Sequence, residues 1–153
     1  MFGPPDPATA AALARLYDLD LVDDPGDLDL YLALADRAGG PILELAVGSG
    51  RLAVPLAEAG HHVTGVDLDG AMLDRARARV QAAGPQATDR LTLVEADLVG
   101  LALPAAGGFG LAFIALNSLL VLSTRVAQRS ALRTLADHLA PGGLAVVDVW
   151  IPD

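Results

Sequence analysis

The sequence contains no cysteine and no lysine; all ten of its basic residues are arginine. Without cysteine there is no disulfide framework, no thiolate zinc site and no cysteine nucleophile. Without lysine, Schiff-base chemistry and a phosphate-loop lysine are excluded. Basic residues are also scarce: 10 against 19 Asp and Glu, a net charge of −9. Nucleic-acid affinity rests on cationic neutralisation of phosphates, so a small-molecule substrate is expected and a nucleic-acid partner is not. Long hydrophobic runs are missing too, although 53% of residues are hydrophobic. The longest, Phe109 to Leu122, spans fourteen residues and contains Asn117 and Ser118, too short and too polar to cross a bilayer. The start, MFGPPDPATA, has no basic region and no apolar core, so no signal peptide is expected. The expectation is a soluble, cytoplasmic chain with no membrane partner. Its 153 residues fit one domain, which buries roughly two-thirds of its unfolded surface.

What is present centres on Pro41 to Asp67, PILELAVGSGRLAVPLAEAGHHVTGVD. Ile42, Leu43, Leu45, Ala46 and Val47 form the near-continuous apolar run of a parallel strand covered on both faces. Gly48, Ser49 and Gly50 follow at once, where glycine lets the backbone turn sharply and approach a ligand. Arg51 to Ala59 carries Leu52, Leu56 and Ala59 at helical spacing, and Gly60 occupies a C-cap position. Pro55 is tolerable near the first turn. His62 to Val66 is the next strand, with Asp67 at its carboxyl end. An acid there, nineteen residues after Gly48, is placed to accept from two ribose hydroxyls. The stretch predicts a site for a nucleoside-containing cofactor.

Upstream, residues 1–8 are Pro-rich, and Thr9 to Tyr17 predicts a helix with Thr9 as N-cap and Leu13, Leu16 and Tyr17 on one face. Six Asp lie between Asp18 and Asp29. Their spacing fails the EF-hand pattern, so they read as a solvated acidic loop ending in an Asp27 N-cap. No metal site is assigned. Leu28 to Ala38 is a second helix, with Leu28, Tyr31, Leu32 and Ala35 on one stripe. Downstream, Gly70 to Ala83 is a helix with Met72, Ala76 and Val80 inward, and Arg75, Arg77 and Arg79 on a solvated face. Leu91 to Ala96 is a third strand with Asp97 at its end, and Phe109 to Leu116 a fourth, ending at Asn117. Thr124 to Leu139 is a helix with Leu132, Leu135 and Leu139 inward. A tight turn at Pro141-Gly142-Gly143 leads into a fifth strand, Leu144 to Trp150. Alternating strands and helices imply βαβ units and a parallel sheet, with the ligand beyond the strand carboxyl ends, where Gly48, Asp67, Asp97 and Asn117 fall.

Gly48 to Ala53 formally matches G-x-G-x-x-G/A, so an NAD-dependent oxidoreductase of the Rossmann class is one reading. Three features pull away from it: about forty residues precede the first strand, Glu44 lies inside that strand, where a buried acid is costly unless paired, and a second acid, Asp97, ends the third strand. With those residues in view the chain resembles the class I S-adenosylmethionine-dependent methyltransferases. ELAVGSG at Glu44–Gly50 resembles their first motif, E/D-x-G-x-G-x-G. VTGVDLDGAML resembles their second strand and following helix, EADL at Glu95–Leu98 their adenine motif, and LAPGGLAVVDV their turn into the fifth strand.

The resemblance implies methyl transfer from S-adenosylmethionine to a small molecule, on a Rossmann-like three-layer α/β/α fold with a mainly parallel sheet of order 3-2-1-4-5. Gly48 and Gly50 would let the backbone contact the methionine part of the cofactor, and Glu44 would hold the loop or the amino group through water. Asp67 would bind the ribose diol, with Leu68 and Met72 against adenine. At Ala96-Asp97-Leu98, Asp97 would accept from the adenine amino group and the Leu98 N–H would reach the ring. Asn117 would line the methyl-donor end, and Tyr17 resembles an N-terminal lid tyrosine of bacterial small-molecule members. Residues 1–27 would then be a lid helix and acidic loop, and 28–153 the cofactor domain.

Two departures stand out. Ala46 occupies the position of the first glycine in the motif, where the mildest replacement should leave binding intact. The chain stops at Asp153, after the fifth strand, so the family's sixth and seventh strands have no counterpart. The fifth strand is therefore expected to be an open hydrophobic edge, completed by self-association or a partner, and a scaffold without turnover is a further reading. Several residues carry two readings: Asp97 as helix N-cap or adenine acceptor, Glu44 as structural acid or ligand, Arg51 as carboxylate partner or surface residue. Met72, Tyr17 and Tyr31 read as packing residues before ligand contacts. His61 and His62 should point to opposite faces, and His138 suits the end of a helix as a cation. No catalytic residue is assigned.

Overall fold

The computed structural model describes residues 6–20 and 26–150. Leu21 to Pro25, which include Asp23 and Asp24 of the acidic run, lie outside them, as do the first five residues and the last three. The elements are α1 (Pro7–Asp20), α2 (Leu28–Ala38), β1 (Ile42–Leu45), α3 (Ala53–Glu58), β2 (Val63–Asp67), α4 (Gly70–Ala83), α5 (Pro85–Thr88), β3 (Leu91–Glu95), β4 (Phe109–Ile114), α6 (Ser118–Val121), α7 (Arg125–His138) and β5 (Leu139–Val147). The five strands form one sheet in the order β3-β2-β1-β4-β5, and every pairing is parallel. The expected fold class is borne out.

β1 is central and wholly buried, which is why, Glu44 apart, its sequence is apolar without alternation. Side chains still alternate between the sheet faces. Ile42, Leu111 and Phe113 join Tyr31, Leu52, Leu56 and Leu73 beneath α2, α3 and α4. Leu43, Leu45, Ala112 and Ile114 join Ala131 and Leu135 beneath α7. Glu44 shares the phase of Ile42, so it lies on the α2–α3 side. Gly110 permits close approach of the α2–β1 turn: a Cβ there would fall 1.9 Å from the Gly39 carbonyl oxygen. The register aligns Leu45 with Val66 and Ile114, and Asp67 with Glu95. All four strands thus end together, and their exit loops share one rim.

Several local expectations are corrected. Asp6, not Thr9, caps α1: its Oδ1 accepts from the N–H groups of Ala8 and Thr9 at 3.1 and 3.2 Å, and the Thr9 hydroxyl donates to Oδ2. Leu13 and Leu16 of α1 are exposed, and Ala14 is the buried residue. In α7 the inward residues are Ala131, Thr134, Leu135 and His138, with Leu132 exposed; Ala59 is exposed. In α4, Leu73 takes the buried place expected of Met72. α5 and α6, four residues each, are too short to carry a periodic signal. β5 starts at Leu139 and takes in the expected turn as an irregular opening opposite Phe109 to Leu111.

Candidate cofactor site

After Leu45 the backbone turns through three left-handed positions, Ala46 (φ 60°), Gly48 (φ 55°) and Gly50 (φ 78°). The two glycines meet this geometry without steric cost and Ala46 does not; it lies where the resemblance places a glycine. Gly50 is also crowded, since a Cβ would meet Val54 and Ala76 at 3.1 and 3.3 Å. The Asp67 carboxylate braces the turn from β2: Oδ2 accepts from the Gly48 N–H at 2.8 Å and Oδ1 from the Asp69 N–H at 2.9 Å. Each oxygen keeps acceptor capacity for a ligand hydroxyl.

Glu44 lies beneath this turn, 3% exposed, and its Oε2 has no hydrogen-bond partner. Burial pushes its pKa up to about 8, the Arg51 charge and the Ala53 N–H oppose the rise, and Asp67 and Asp27 add to it. The carboxyl therefore holds its proton at neutral pH. Tyr17 of α1 reaches over the turn, its Cε1 3.9 Å from where a Gly48 Cβ would lie, with the Met72 Cε at 3.5 Å. Desolvation pushes the Tyr17 hydroxyl above its ordinary range against the pull of Arg51, and Glu44, Asp67 and Asp18 add to the shift. Tyr17, Glu44, Ala46, Arg51 and Ser118 enclose a cavity of about 10 Å³, room for about one water.

Around this centre two acids of the run, Asp18 and Asp27, are paired instead of solvated, while Asp29 is exposed. Asp27 does not cap α2 with its side chain; it makes a bidentate pair with Arg51 at 2.5 and 2.8 Å. That pair holds the Asp27 carboxyl below its usual range and, against the cost of burial, keeps Arg51 charged. Asp18 accepts from the Ser49 hydroxyl and from Arg75 Nε, both at 2.5 Å, with Arg79 at 3.6 Å. Arg75 and Arg79 thus turn to α1, and Arg77 alone of that cluster pairs with surface Asp74. No local motif marks Asp18, Asp27, Ser49 and Arg75 as site residues. The available signal was an acid run in a chain that also carries an arginine cluster.

The remaining residues spread along the rim. Leu68 is exposed beside Asp67, and the Ala96 N–H donates to the Asp67 carbonyl at 2.9 Å. Asp97 is no helix cap, for no helix follows; its Oδ1 accepts from the Val99 N–H at 2.8 Å. The Leu98 carbonyl accepts from the Thr134 hydroxyl at 2.8 Å. Asn117, left-handed at φ 58°, turns its Oδ1 to the Trp150 N–H instead of leaving it free at the β4 end. Tyr31 packs on Phe113 at 4.5 Å between ring centroids. His61 is directed to Asp36, 3.2 Å away, and His62 is exposed. His138 is no cation: Nδ1 faces the Thr134 carbonyl at 2.7 Å and Nε2 accepts from the Leu103 N–H at 3.0 Å, a pattern only neutral imidazole can make.

A glycine turn braced by an acid on the neighbouring strand agrees with the comparison to known proteins: residues 42–143 match the methyltransferase domain family. The chain belongs to that family. It is 31% identical to the solved CcbJ methyltransferase of Streptomyces caelestis, with a TM-score of 0.73, covering 84% of this chain and 53% of CcbJ. It is 32% identical to the glycopeptide N-methyltransferase MtfA, solved with sinefungin, with a TM-score of 0.70 over 82% of this chain and 54% of MtfA. A stretch of 65 residues is 35% identical to ribosomal RNA small subunit methyltransferase A of Leifsonia xyli subsp. xyli, covering 42% of this chain and 23% of that protein. The chain therefore spans about half the length of the two solved relatives. MtfA has also been solved with S-adenosylmethionine, so the cofactor expected from the sequence is that of the family, and the oxidoreductase reading falls away.

Proposed function

We propose that this methyltransferase-family chain binds S-adenosylmethionine at the shared strand rim and passes its methyl group to a small-molecule acceptor. The observation that carries the reading is Glu44: a buried carboxyl with an unpaired oxygen beside a glycine turn already flanked by carboxylates. A cofactor with a cationic amino group and sulfonium gives that oxygen a partner and favours its ionised form. A dinucleotide would instead bring two phosphates next to the Asp67 carboxylate, where like charges repel. In this reading Asp67 holds the ribose diol, Leu68 and Met72 flank adenine, and Asp97 and Leu98 meet its polar edge. The Gly48–Gly50 backbone and Glu44 hold the methionine part, with Ala46, Arg51 and Ala96 shaping the loops and Tyr17 covering it. Asn117 marks the donor end.

The sulfonium activates the methyl, so the protein's contribution is in-line positioning and exclusion of water. The small-molecule reading of the acceptor rests on the net charge of −9 and on MtfA, whose name places its acceptor among glycopeptides. The outer edge of β5, unpaired among the described residues, is free to take a further strand or a second copy. Calorimetric titration with S-adenosylhomocysteine, and with NAD in parallel, tests the cofactor. Micromolar binding of the former alone is expected, and binding of NAD alone would sink the reading. Methyl incorporation from labelled cofactor into glycopeptide-type small molecules, against an RNA arm, tests the acceptor class.

A further inference from the structure

α1 is poorly held by burial. Of its side chains Ala14 is buried, while Leu13, Leu16 and Leu19 are each more than half exposed. A single buried methyl is worth about 1 kcal/mol, too little to fix a helix of 14 residues. What ties it down is Asp18, whose side chain is only 14% exposed. Its carboxylate gathers the Ser49 hydroxyl from the glycine turn, Arg75 through two nitrogens and Arg79 from α4. Ser49 is itself 2% exposed. Three donor residues from two separate elements thus converge on one acid, and the preceding residue of the helix is Tyr17, over Gly48.

Resting on the cofactor reading above, we propose that Asp18 is a positioning residue. Its ionic contact with Arg75 and Arg79, together with the Ser49 bond, sets the rotation and seat of α1 and so holds Tyr17 over the cofactor. Asp18 acts only through Tyr17 and touches no reacting atom. With so little apolar area to separate, α1 lifts when this contact breaks, and the contact governs how long the cofactor stays bound. Partly exposed ion pairs weaken with salt, so cofactor release should quicken as ionic strength rises.

The test uses the full chain, its Asp18→Ala variant, the Arg75→Ala/Arg79→Ala variant and the triple combination, with S-adenosylhomocysteine as probe. Amide exchange over residues 7–20, measured without ligand, reports the seating of α1; stopped-flow release reports cofactor residence. Each variant should speed both by about tenfold, and the triple variant should add little, since partners in one network are not additive. Release from the wild type should quicken between roughly 0.05 and 0.5 M salt, and release from the variants should not. Release unchanged within about twofold despite faster exchange would reduce Asp18 to a structural contact and overturn the proposal, as would unchanged exchange. A wild-type chain that binds no S-adenosylhomocysteine would overturn the cofactor reading and Tyr17's role with it. The exchange data would still report the ionic contact separately.

Discussion

The two halves of the rim differ in kind. At the ends of β1 and β2, charge is dense and paired: Asp67 braces Gly48, Asp27 clasps Arg51 and Asp18 gathers Ser49 with two arginines. Among the described carboxylates there, Glu44 is left with an oxygen that has no hydrogen-bond partner. At the ends of β4 and β5 the surface is apolar and open. Leu120, Val121 and Trp150 are 54%, 82% and 75% exposed around the left-handed turn at Leu116 and Asn117. One half is a socket whose remaining polar demand describes a ligand; the other is a face with few polar groups to recognise anything. In the reading proposed above, most cofactor contacts fall in the first half, and the difference explains why the acceptor is harder to read than the donor.

The sharpest way to break this contrast is Asp67→Ala. It removes the acceptor for the Gly48 N–H and, in the proposed reading, for the cofactor's ribose, and S-adenosylhomocysteine affinity should fall at least about 100-fold, each such charge-assisted bond being worth roughly 1.5–3 kcal/mol. Calorimetry reads the loss. Glu44→Gln comes next, with a pH signature. Folded Glu44 keeps its proton up to about pH 8, against an ordinary 4.5. Its contribution to stability is therefore full below 4.5 and declines as pH rises to 8, with a limiting slope of about 1.4 kcal/mol per pH unit. Thermal melts across that window should show the decline in wild type and a flatter profile in Glu44→Gln. A cationic cofactor draws the proton off, so wild-type affinity should increase toward pH 8 and the variant's should not.

Asp27→Ala leaves Arg51 without its bidentate partner at a site where both side chains are 15% exposed; a loss of about 1–2 kcal/mol, between surface and buried pairs, should appear in urea unfolding. Ala46→Gly relieves a left-handed alanine and should raise stability by about 1 kcal/mol in the same experiment, with cofactor affinity intact. Smallest of all, Leu120→Ser with Val121→Ser on the open half should leave S-adenosylhomocysteine affinity within about twofold and stability within about 0.5 kcal/mol, as exposed substitutions do. A large loss there would erase the division between the halves.

Much of the sheet was legible because its signals are local. The buried run of β1, the acid ending β2 and the helix over Gly70–Ala83 each announce themselves within a few residues, and α2 and α4 have the expected bounds. Inward faces were less legible where helices are amphipathic on more than one side: periodicity pointed α1 inward through Leu13 and Leu16, whereas contact with α4 selects Ala14. His138 looked like a helix-end cation, because its loop partner Leu103 lies 35 residues away. Asp97 had an acid's usual two readings at a strand end, and the missing helix after it decided against the cap.

By itself the sequence determined the five strands and the longer helices, their order, and that a glycine turn and an acid end adjacent strands of a parallel sheet. Those are consequences of burial period, turn chemistry and short spacing, which act within a unit of about thirty residues. Tertiary structure decided the charges. Asp27 meets Arg51 across 24 residues, Asp18 meets Ser49 across 31 and Arg75 across 57. No local rule chooses among so many acids and arginines. Packing α1 against α4 and α2 against α3 does, because it alone brings one pair into contact and leaves one Glu44 oxygen buried without a partner.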